Sequence, residues 1–301
     1  MDKKLNLIKS VALCVIAFCM AVAGYLFWEH RNYKEPVVVS EYITEVKKLS
    51  DYFDGVKGTV NDCNVYIFDS GVEGGTFLIW GSTHPEEPAG VMTAALLVEN
   101  LKVTQGKVII IDRENNSAST NTRVGEAYPR FFTYETDWGT KVWRFGDRHA
   151  NQLDSWPDPE VYIHYPSGQT LANVDIRNTN RNWPGKANGL LTERTNYAVM
   201  QLIEQEGVDM TLDLHEAELE YTVENTIVVH EKGQSVAAMV SMDLTANTFD
   251  VPVGMEFSPT ALHGMCHRVV GDLSDAAPYL GEVAERLLDR IRGFTEEELL
   301  M

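Results

Sequence analysis

Basic residues are scarce in this chain. Its 301 residues hold 25 lysines and arginines against 44 aspartates and glutamates, which gives a formal net charge of −19 at pH 7. A surface of this sign repels polyphosphate and anionic headgroups, so we expect no nucleic-acid partner. The hydrophobic fraction of 44% and the charged fraction of 23% are those of an ordinary globular protein with room for a sizeable core.

Cysteine is scarce as well. The four cysteines are Cys14, Cys19, Cys63 and Cys266. None forms a Cys-x-x-Cys pair, which argues against a cysteine zinc site or a dithiol redox motif. Cys63 and Cys266 could pair in an oxidising compartment, but a disulfide between them is not the expected arrangement.

Long hydrophobic runs are absent except at the N-terminus. There, Lys3, Lys4 and Lys9 precede an uncharged run from residue 10 to residue 28. At about 1.5 Å per residue, a helix of this length nearly spans a hydrocarbon core. The lysines hold the short N-terminal tail inside, so the rest of the chain is expected outside the cytoplasm.

Two interpretations of this run remain open. Ala21-Val22-Ala23 has the small-residue pattern of a signal-peptide cleavage site. The apolar run continues past it through residues 25–28, which favours an uncleaved transmembrane helix. We therefore predict a membrane-anchored, single-pass protein with an extracytoplasmic domain, and a protein secreted after cleavage as the alternative.

Beyond residue 29, apolar runs alternate between strand and helix patterns. A first helix is predicted from the spacing of Ile43, Val46 and Leu49. Predicted strands cover 65–68, 76–80, 107–111, 208–214, 226–229 and 251–257, and predicted helices cover 88–101, 191–206 and 279–292. Apolar strands that lack period-two alternation, separated by helices, predict an α/β fold with a mixed, mostly parallel central sheet flanked by helices.

The predicted domain organisation is an anchor with a short stalk over 1–35 and one domain over 36–301. Within that domain, residues 113–175 show little periodicity and are read as an irregular insertion. The insertion holds Trp138, Trp143 and Trp156, which could form a lid or ligand-facing wall, or the insertion's own small core.

Histidine and glutamate occur at the ends of three predicted strands. His84 and Glu87 follow strand 76–80, His215 ends a second strand, and Glu256 ends a third. In open α/β sheets, sites form beyond the carboxyl ends of the strands. Two histidines and one glutamate are a recognised catalytic zinc set that leaves the fourth position for water. Glu256 would then be free to act as a base, at a strand end where partial desolvation raises its pKa.

A lone His-x-x-Glu spacing is a weak signal, since His215 and Glu218 repeat it by chance. Four short segments that occur in order along the chain are a stronger signal. FLIWGSTHPEEPAG (77–90) resembles the GGTHGNEPAG segment of the succinylglutamate desuccinylase/aspartoacylase family, within the zinc carboxypeptidase superfamily. NTNRNWPG (178–185) resembles its Asn-Arg-Asn motif, TLDLHEA (211–217) the segment with its third zinc ligand, and VGMEFSP (253–259) the segment with its catalytic glutamate.

The resemblance implies a zinc carboxypeptidase-like fold and one Zn²⁺ per chain. The residues it implies are His84, Glu87 and His215 as metal ligands, Asn180 and Arg181 as substrate-binding residues, and Glu256 as the general base. The planar cation of Arg181 and the amide of Asn180 suit a substrate carboxylate or a developing oxyanion.

Some residues around these motifs depart from the family pattern. The arginine that polarises the scissile carbonyl has no clear match, and Arg177 and Arg148 are both candidates. Glu216 and Glu218 are unusual neighbours of a ligand and could contest the base role. Other residues with two open interpretations are Asp213, which orients His215 or forms a simple salt bridge, and His263 and His267, which line the pocket or belong to a loop.

The predicted function is a zinc-dependent hydrolase that cleaves an amide bond by metal-activated water. Its partners would be a small acylated amino acid or a short peptide, and the membrane through the N-terminal helix. The deacylase type is favoured, with a zinc carboxypeptidase acting on peptides or cell-wall fragments as the alternative. A second alternative is a catalytically inactive, membrane-tethered binding protein. The oligomeric state is not determined by the sequence.

Overall fold

The computed structural model describes residues 2–121, 130–136, 139–217, 225–247 and 252–284. The helices in those ranges are α1 (Asp2–Asn32), α2 (Pro88–Asn100), α3 (Asn116–Ser119), α4 (Leu191–Glu206), α5 (Gln234–Asn247) and α6 (Cys266–Leu273). The strands are β1 (Glu45–Lys48), β2 (Asn64–Asp69), β3 (Thr76–Trp80), β4 (Lys107–Ile111), β5 (Phe131–Thr136), β6 (Gly139–Arg144), β7 (Tyr162–Ile163), β8 (Thr170–Leu171), β9 (Met210–Ala217), β10 (Thr226–Val229), β11 (Gly254–Phe257) and β12 (Ala277–Ala284).

An eight-stranded mixed sheet forms the centre, in the order β1-β2-β4-β3-β9-β12-β10-β11. Its middle strands β4, β3, β9 and β12 run parallel to one another, while β2 and β10 join them antiparallel. The predicted fold class, a mostly parallel central sheet flanked by helices, is confirmed. The parallel strands bring the ends of β3, β9 and β12 to one edge of the sheet.

Both faces of the sheet are covered around β4. Ile109 and Ile111 pack into the larger core with Leu78 and Trp80, whereas Ile110 faces the opposite side among the residues that contact α2. All of these side chains are almost fully buried. A strand buried on both faces needs apolar residues at successive positions, which explains the three consecutive isoleucines, Ile109 to Ile111.

The helix boundaries follow local signals. Helix α2 begins at Pro88, whose missing N–H costs nothing in a first turn. Helix α4 ends at Gly207, which takes the left-handed conformation with φ of 59°. The sequence-based predictions for these two helices are confirmed.

Two predicted helices are wrong. Residues 279–284 belong to strand β12, which pairs with both β9 and β10, and residues 285–292 lie outside the described part of the chain. Ile43 precedes β1, Val46 lies on β1, which pairs along β2, and Leu49 begins a 3₁₀ turn. In both places tertiary pairing overrides a local helical spacing.

The predicted insertion contains more regular structure than expected. Strands β5 and β6 form an antiparallel hairpin, and β7 pairs with β8. Trp143 is buried and packs with Phe132 against α2, whereas Trp156 is 66% exposed. Trp138 lies outside the described residues. Trp143 therefore packs the β5–β6 hairpin of the insertion against α2.

The N-terminal helix has the composition of a membrane span. Residues Lys3–Asn32 are long and apolar enough to cross a membrane, a property that an anchor and a signal sequence share. The division of the chain at residue 35 stays a prediction. Cys63 and Cys266 are buried free thiols.

Candidate metal centre

A tight exit from β3 places the first two predicted ligands. A Cβ at Gly81 would lie 2.3 Å from the Gly90 carbonyl oxygen, so only glycine lets α2 approach β3 this closely. Ser82 follows with φ of 69°, a left-handed conformation that its carbonyl's hydrogen bond from Asn115 N–H (3.2 Å) helps to hold. The chain then turns through His84 towards the first residue of α2.

The three predicted ligands meet at the edge of the sheet. His84 Nδ1 lies 2.6 Å from Glu87 Oε1, and His215 Nδ1 lies 2.8 Å from Glu87 Oε2. The three ligand atoms lie within 4.8 Å of one another, and all three side chains are buried. The structure therefore brings together two imidazole nitrogens and a carboxylate, in agreement with their proposed common role.

The outer nitrogens of both imidazole rings also have partners. His84 Nε2 lies 2.9 Å from Asn178 Oδ1, and His215 Nε2 lies 2.9 Å from Asp213 Oδ2. Asn178 thus orients the His84 ring through a hydrogen bond, whereas Asp213 lies close to His215 Nε2 without hydrogen-bond geometry and acts on that ring through its charge. Both Nδ1 atoms face Glu87. Two nitrogens and one carboxylate fit the ligand preferences of zinc.

The pKa values of Glu87 and His215 are shifted in opposite directions, and both shifts favour the charged form. Burial alone would raise the pKa of Glu87, but His84 and His215 outweigh it and hold that pKa far below its usual range. Burial likewise opposes the charge on His215, yet Asp213 and Glu87 raise its pKa well above the usual value. Glu87 is therefore a carboxylate that faces a protonated imidazole, and a cation at this place would displace the proton.

The ligand group opens into a cavity of about 460 Å³. The polar residues that line it are His84, Glu87, Arg148, Asn180, Arg181, His215, Glu216, Glu256, His267 and Glu282. Apolar residues, Leu262 and Met265 among them, complete the wall. The cavity thus combines the ligand group with two guanidinium groups and several carboxylates, which suits a small polar substrate.

The predicted substrate-binding pair lies on this cavity. Asn180 is buried on a 3₁₀ turn, and its Oδ1 accepts a hydrogen bond from Cys266 N–H (3.0 Å). Arg181 Nη1 donates to the Asn180 carbonyl (2.8 Å), and burial lowers the pKa of Arg181. A poorly hydrated guanidinium gains from pairing with an anionic ligand.

The two candidates for the additional arginine separate clearly. Arg148 reaches the cavity, where its Nε donates to Glu86 Oε1 (2.6 Å) and its Nη2 lies 3.8 Å from Glu87. Arg177 does not line the cavity. It is buried elsewhere, with its Nε bonded to Asp158 (2.9 Å) and its Nη1 bonded to the Ala150 carbonyl (2.8 Å). The suggestion of Arg177 as a substrate-binding residue is therefore not supported by its position.

Glu256 lines the far wall of the cavity rather than its centre. It lies on β11, and two strands separate β11 from β9, which carries His215. Three strand spacings of about 4.8 Å place β11 about 14 Å from β9. Glu256 is also exposed, so the expectation of a desolvated glutamate at this position is wrong.

Sequence reasoning missed Glu282, which lies much nearer. Glu282 pairs in register with His215 on the adjacent parallel strand. Among the described residues its Oε2 has no hydrogen-bond partner, and burial raises the pKa of Glu282 to about 7. The sequence pattern predicts a helix over residues 279–292. Only a strand prediction for this segment would have placed Glu282 at the sheet edge beside His215.

Other residues left open by the sequence are also placed. Glu216 lines the cavity, and its Oε1 accepts the Ala89 N–H (2.6 Å) at the start of α2. Burial raises the pKa of Glu216 to about 8. His267 lines the cavity and bonds Ser258, whereas His263 stacks on His164. Glu218 lies outside the described residues.

No family model matches the sequence, and no curated protein matches it. Solved structures do. A protein assigned as a carboxypeptidase A from Shewanella denitrificans superposes with a TM-score of 0.50 at 14% identity and covers 81% of this chain. The chain shares the fold of that protein.

Two further structures are similar. A succinylglutamate desuccinylase from a Silicibacter species has a TM-score of 0.44 at 14% identity over 76% of this chain. A metallo-carboxypeptidase from Burkholderia cenocepacia has a TM-score of 0.47 at 12% identity over 81% of this chain. This chain spans 56% of the length of each of the three proteins.

Proposed function

We propose that this protein is a zinc-dependent hydrolase that cleaves an amide bond in a small acylated amino acid. The observation that carries the proposal is the buried group His84, Glu87 and His215, open to a cavity that also holds Glu282 and Arg148. His84 and Glu87 share one turn, but Arg148, His215 and Glu282 each come from a different segment of the chain, so chance local packing is a poor explanation for their convergence.

His84 and His215 would hold one Zn²⁺ per chain through their Nδ1 atoms, and Glu87 through its carboxylate. When bound, zinc supplies Lewis acidity towards a carbonyl oxygen and towards water. Asn178 would orient the His84 ring towards such an ion through its hydrogen bond to Nε2, and Asp213 would act on the His215 ring through its charge, 2.9 Å from Nε2.

Glu282 is our candidate for the general base. It is the carboxylate next to His215 in register, and a pKa of about 7 lets it take a proton from water near neutral pH and pass it to the leaving amine. The proposal of Glu256 as the base requires its carboxylate to act across about three strand spacings, roughly 14 Å. Glu256 is better placed to contact the distal part of a bound substrate.

Arg148 and Arg181 would bind the anionic groups of the substrate. Arg148, whose Nη2 lies 3.8 Å from Glu87, would polarise the scissile carbonyl oxygen, while Asn180 and Arg181 on the cavity wall would pair with a substrate carboxylate. Hydrogen bonds from a positioned guanidinium to a developing oxyanion strengthen as charge accumulates there.

The deacylase type is our first choice, because the segments 77–90 and 253–259 match that family best. A zinc carboxypeptidase acting on peptides or cell-wall fragments is the alternative, favoured by the NRNWPG segment (180–185) and the long interval between Glu87 and His215. An extracytoplasmic domain also favours the alternative, since metabolic acyl amino acids are intracellular. The products distinguish the two types, because a deacylase releases an acyl acid and a carboxypeptidase releases a C-terminal residue.

The decisive experiment is metal analysis of the full chain in detergent, followed by a panel of N-acylated amino acids and peptides. About one zinc per wild-type chain, lost in His84→Ala, is expected. Glu282→Gln should keep the zinc and lose hydrolysis. A folded wild type that takes up no zinc after supplementation would contradict the proposal, and full zinc occupancy with no hydrolysis would favour the tethered binding protein.

We also propose that α1 is an uncleaved single-pass anchor with the hydrolase domain outside the cytoplasm. Residues 3–28 of the apolar helix are exposed, as a lipid-facing helix should be. Mass spectrometry of the N-terminal peptide from native membranes tests this point. An N-terminus upstream of residue 10 supports the anchor, and one close after Ala23 supports secretion after cleavage.

A further inference from the structure

The segment that follows the apolar helix lies across the insertion instead of leading away from it. Arg31 bonds both carboxylate oxygens of Asp154 (2.5 and 3.2 Å), and the Tyr33 hydroxyl donates to the Val142 carbonyl (3.0 Å). His30 is buried with its ring against Phe131, at a centroid distance of 5.4 Å. Residues 30–35 are therefore built into the domain.

Glu35 is the most deeply embedded charged group of this segment. Its side chain is 5% exposed. Arg144 donates to it from the backbone N–H (3.0 Å), from Nε (2.9 Å) and from Nη2 (2.9 Å), while Arg113 Nη2 lies 3.3 Å away. The side chains of both arginines are nearly buried, at 4% and 8% exposure. A single carboxylate is thus shared by two buried guanidinium groups, and Asp112 adds a second negative charge near Arg113.

Arg144 begins the chain segment that reaches the cavity at Arg148. Arg144 is the last residue of β6, and the chain continues through Gly146 to Arg148. Gly146 packs against the loop that carries His84, since a Cβ on it would lie 2.6 Å from Pro85 Cβ. Asp147 N–H bonds the Ala118 carbonyl (3.1 Å). Only three residues thus separate the anchored Arg144 from Arg148, which contacts Glu86 and Glu87.

Arg113 begins a second segment that supports the turns around the cavity. Arg113 follows β4 and precedes two residues that support the turn after β3. Glu114 N–H bonds the Gly81 carbonyl (3.1 Å), and Asn115 N–H bonds the Ser82 carbonyl (3.2 Å). Glu114 also accepts the Thr179 hydroxyl (3.0 Å), next to Asn180. The loop held by Glu35 therefore supports both the ligand turn and the substrate-binding turn.

We infer that Glu35, in the segment after the apolar helix, is a positioning residue that fixes the loops presenting Arg148 and His84 to the cavity. The inference rests on the proposed function for its catalytic consequence, but its structural content is independent of any substrate. Without the carboxylate, two guanidinium groups would be left buried and mutually repelling, and the loops they begin would shift or open.

The test compares Glu35→Gln with Glu41→Gln in the full chain. The control makes the same chemical change at an exposed glutamate of the same stretch. Hydrogen exchange followed by mass spectrometry is measured over residues 113–121 and 144–150. Glu35→Gln should accelerate exchange in both segments, including the Arg144 and Asp147 amides, while Glu41→Gln should match wild type.

The kinetic arm asks for a pattern that general destabilisation does not give. With zinc content unchanged, Glu35→Gln should raise KM for carboxylate-bearing substrates by about tenfold, since misplaced binding groups are costly. Glu35→Asp, which keeps the charge, should lie between wild type and Glu35→Gln and serves in place of Glu35→Gln if that variant does not fold. Wild-type exchange in both segments of a folded Glu35 variant would overturn the inference.

Failure of the two proposals can be told apart. If no substrate is hydrolysed by wild type, the proposed function falls, and the exchange experiment still decides the role of Glu35. If hydrolysis is found but exchange and KM are unaffected by Glu35→Gln, the proposed function stands and the positioning role is wrong.

Discussion

Glu282 on β12 stands beside His215 on β9, because the two residues share one register position on adjacent parallel strands. Neighbouring strands lie about 4.8 Å apart, so the glutamate is one strand spacing from a proposed metal ligand. Its neighbours include Glu87, and its buried Oε2 has no hydrogen-bond partner among the described residues. This relationship gives the cavity a carboxylate whose surroundings favour proton transfer.

Replacing Glu282 by Gln should lower kcat/KM by at least about a hundredfold, because the proton acceptor is removed while its size is kept. Zinc content should stay at the wild-type level, since the ligand atoms are untouched. The matched variant Glu256→Gln, on the far wall of the cavity, should change KM more than kcat. A Glu256→Gln enzyme without turnover, beside an active Glu282→Gln enzyme, would return the base role to Glu256.

The pH profile should carry the same signature. Burial raises the pKa of Glu282 to about 7, and the carboxylate must be deprotonated to act as a base. Activity should therefore rise with pH through an acidic limb, and a bound cation would move that limb below pH 7 by favouring the charged form. The limb should be missing from the residual activity of Glu282→Gln. A limb that persists unchanged in that variant would assign the titration to another group.

Asp213 should tune the metal without touching it. Its Oδ2 lies 2.9 Å from His215 Nε2, and its carboxylate also accepts the Thr83 hydroxyl (2.7 Å) and the Cys266 thiol (3.1 Å). Asp213→Asn should weaken zinc affinity by about 10- to 100-fold, measured by competition with a chelator. Asp275→Asn, the same change at an exposed position, should leave it unaltered. Equal affinities would reduce Asp213 to an ordinary ion pair.

Much of this arrangement could be predicted from local sequence. The runs TFLIW and KVIII could be assigned to strands because they are short and almost wholly apolar. The ligands in the loop after β3 could be proposed because polar residues at three strand ends combine with the resemblance of four segments to a known family. Glu282 could not be found in this way. The segment after Ala277 carries apolar residues at helical spacing, and its pairing with β9 and β10 outweighs that preference.

The contact of Glu35 with Arg113 and Arg144 lay beyond sequence reasoning for a different reason. The three residues are far apart along the chain, and each alone reads as a solvated surface charge. Arg148 and Arg177 were likewise equal candidates until the fold placed one at the cavity and the other beside Asp158. Partner choice among long charged side chains is set by tertiary structure.

The two arginines should respond to the same substitution in opposite ways. Arg148→Met should lower kcat/KM by about a hundredfold with little loss of stability, because Arg148 is partly exposed and faces the cavity. Arg177→Met should leave kcat near wild type and lower the free energy of unfolding by about 3 kcal/mol, since it strands the Asp158 carboxylate. Denaturant unfolding beside steady-state kinetics checks both. An inactive but stable Arg177→Met would show that Arg177 reaches the substrate after all.

Acid should weaken the contribution of Glu35 in a defined pH window. Burial would raise the pKa of Glu35, but Arg113 and Arg144 outweigh it and lower that pKa from 4.5 to about 2. A carboxylate with a depressed folded-state pKa stabilises the fold fully above its unfolded pKa, and this contribution is lost as pH falls from about 4.5 towards 2. The difference in unfolding free energy between wild type and Glu35→Gln should thus be constant above about pH 5.5 and shrink steadily below pH 4.5. A difference that stays constant down to pH 3 would mean that the carboxylate gains nothing from the two guanidinium groups.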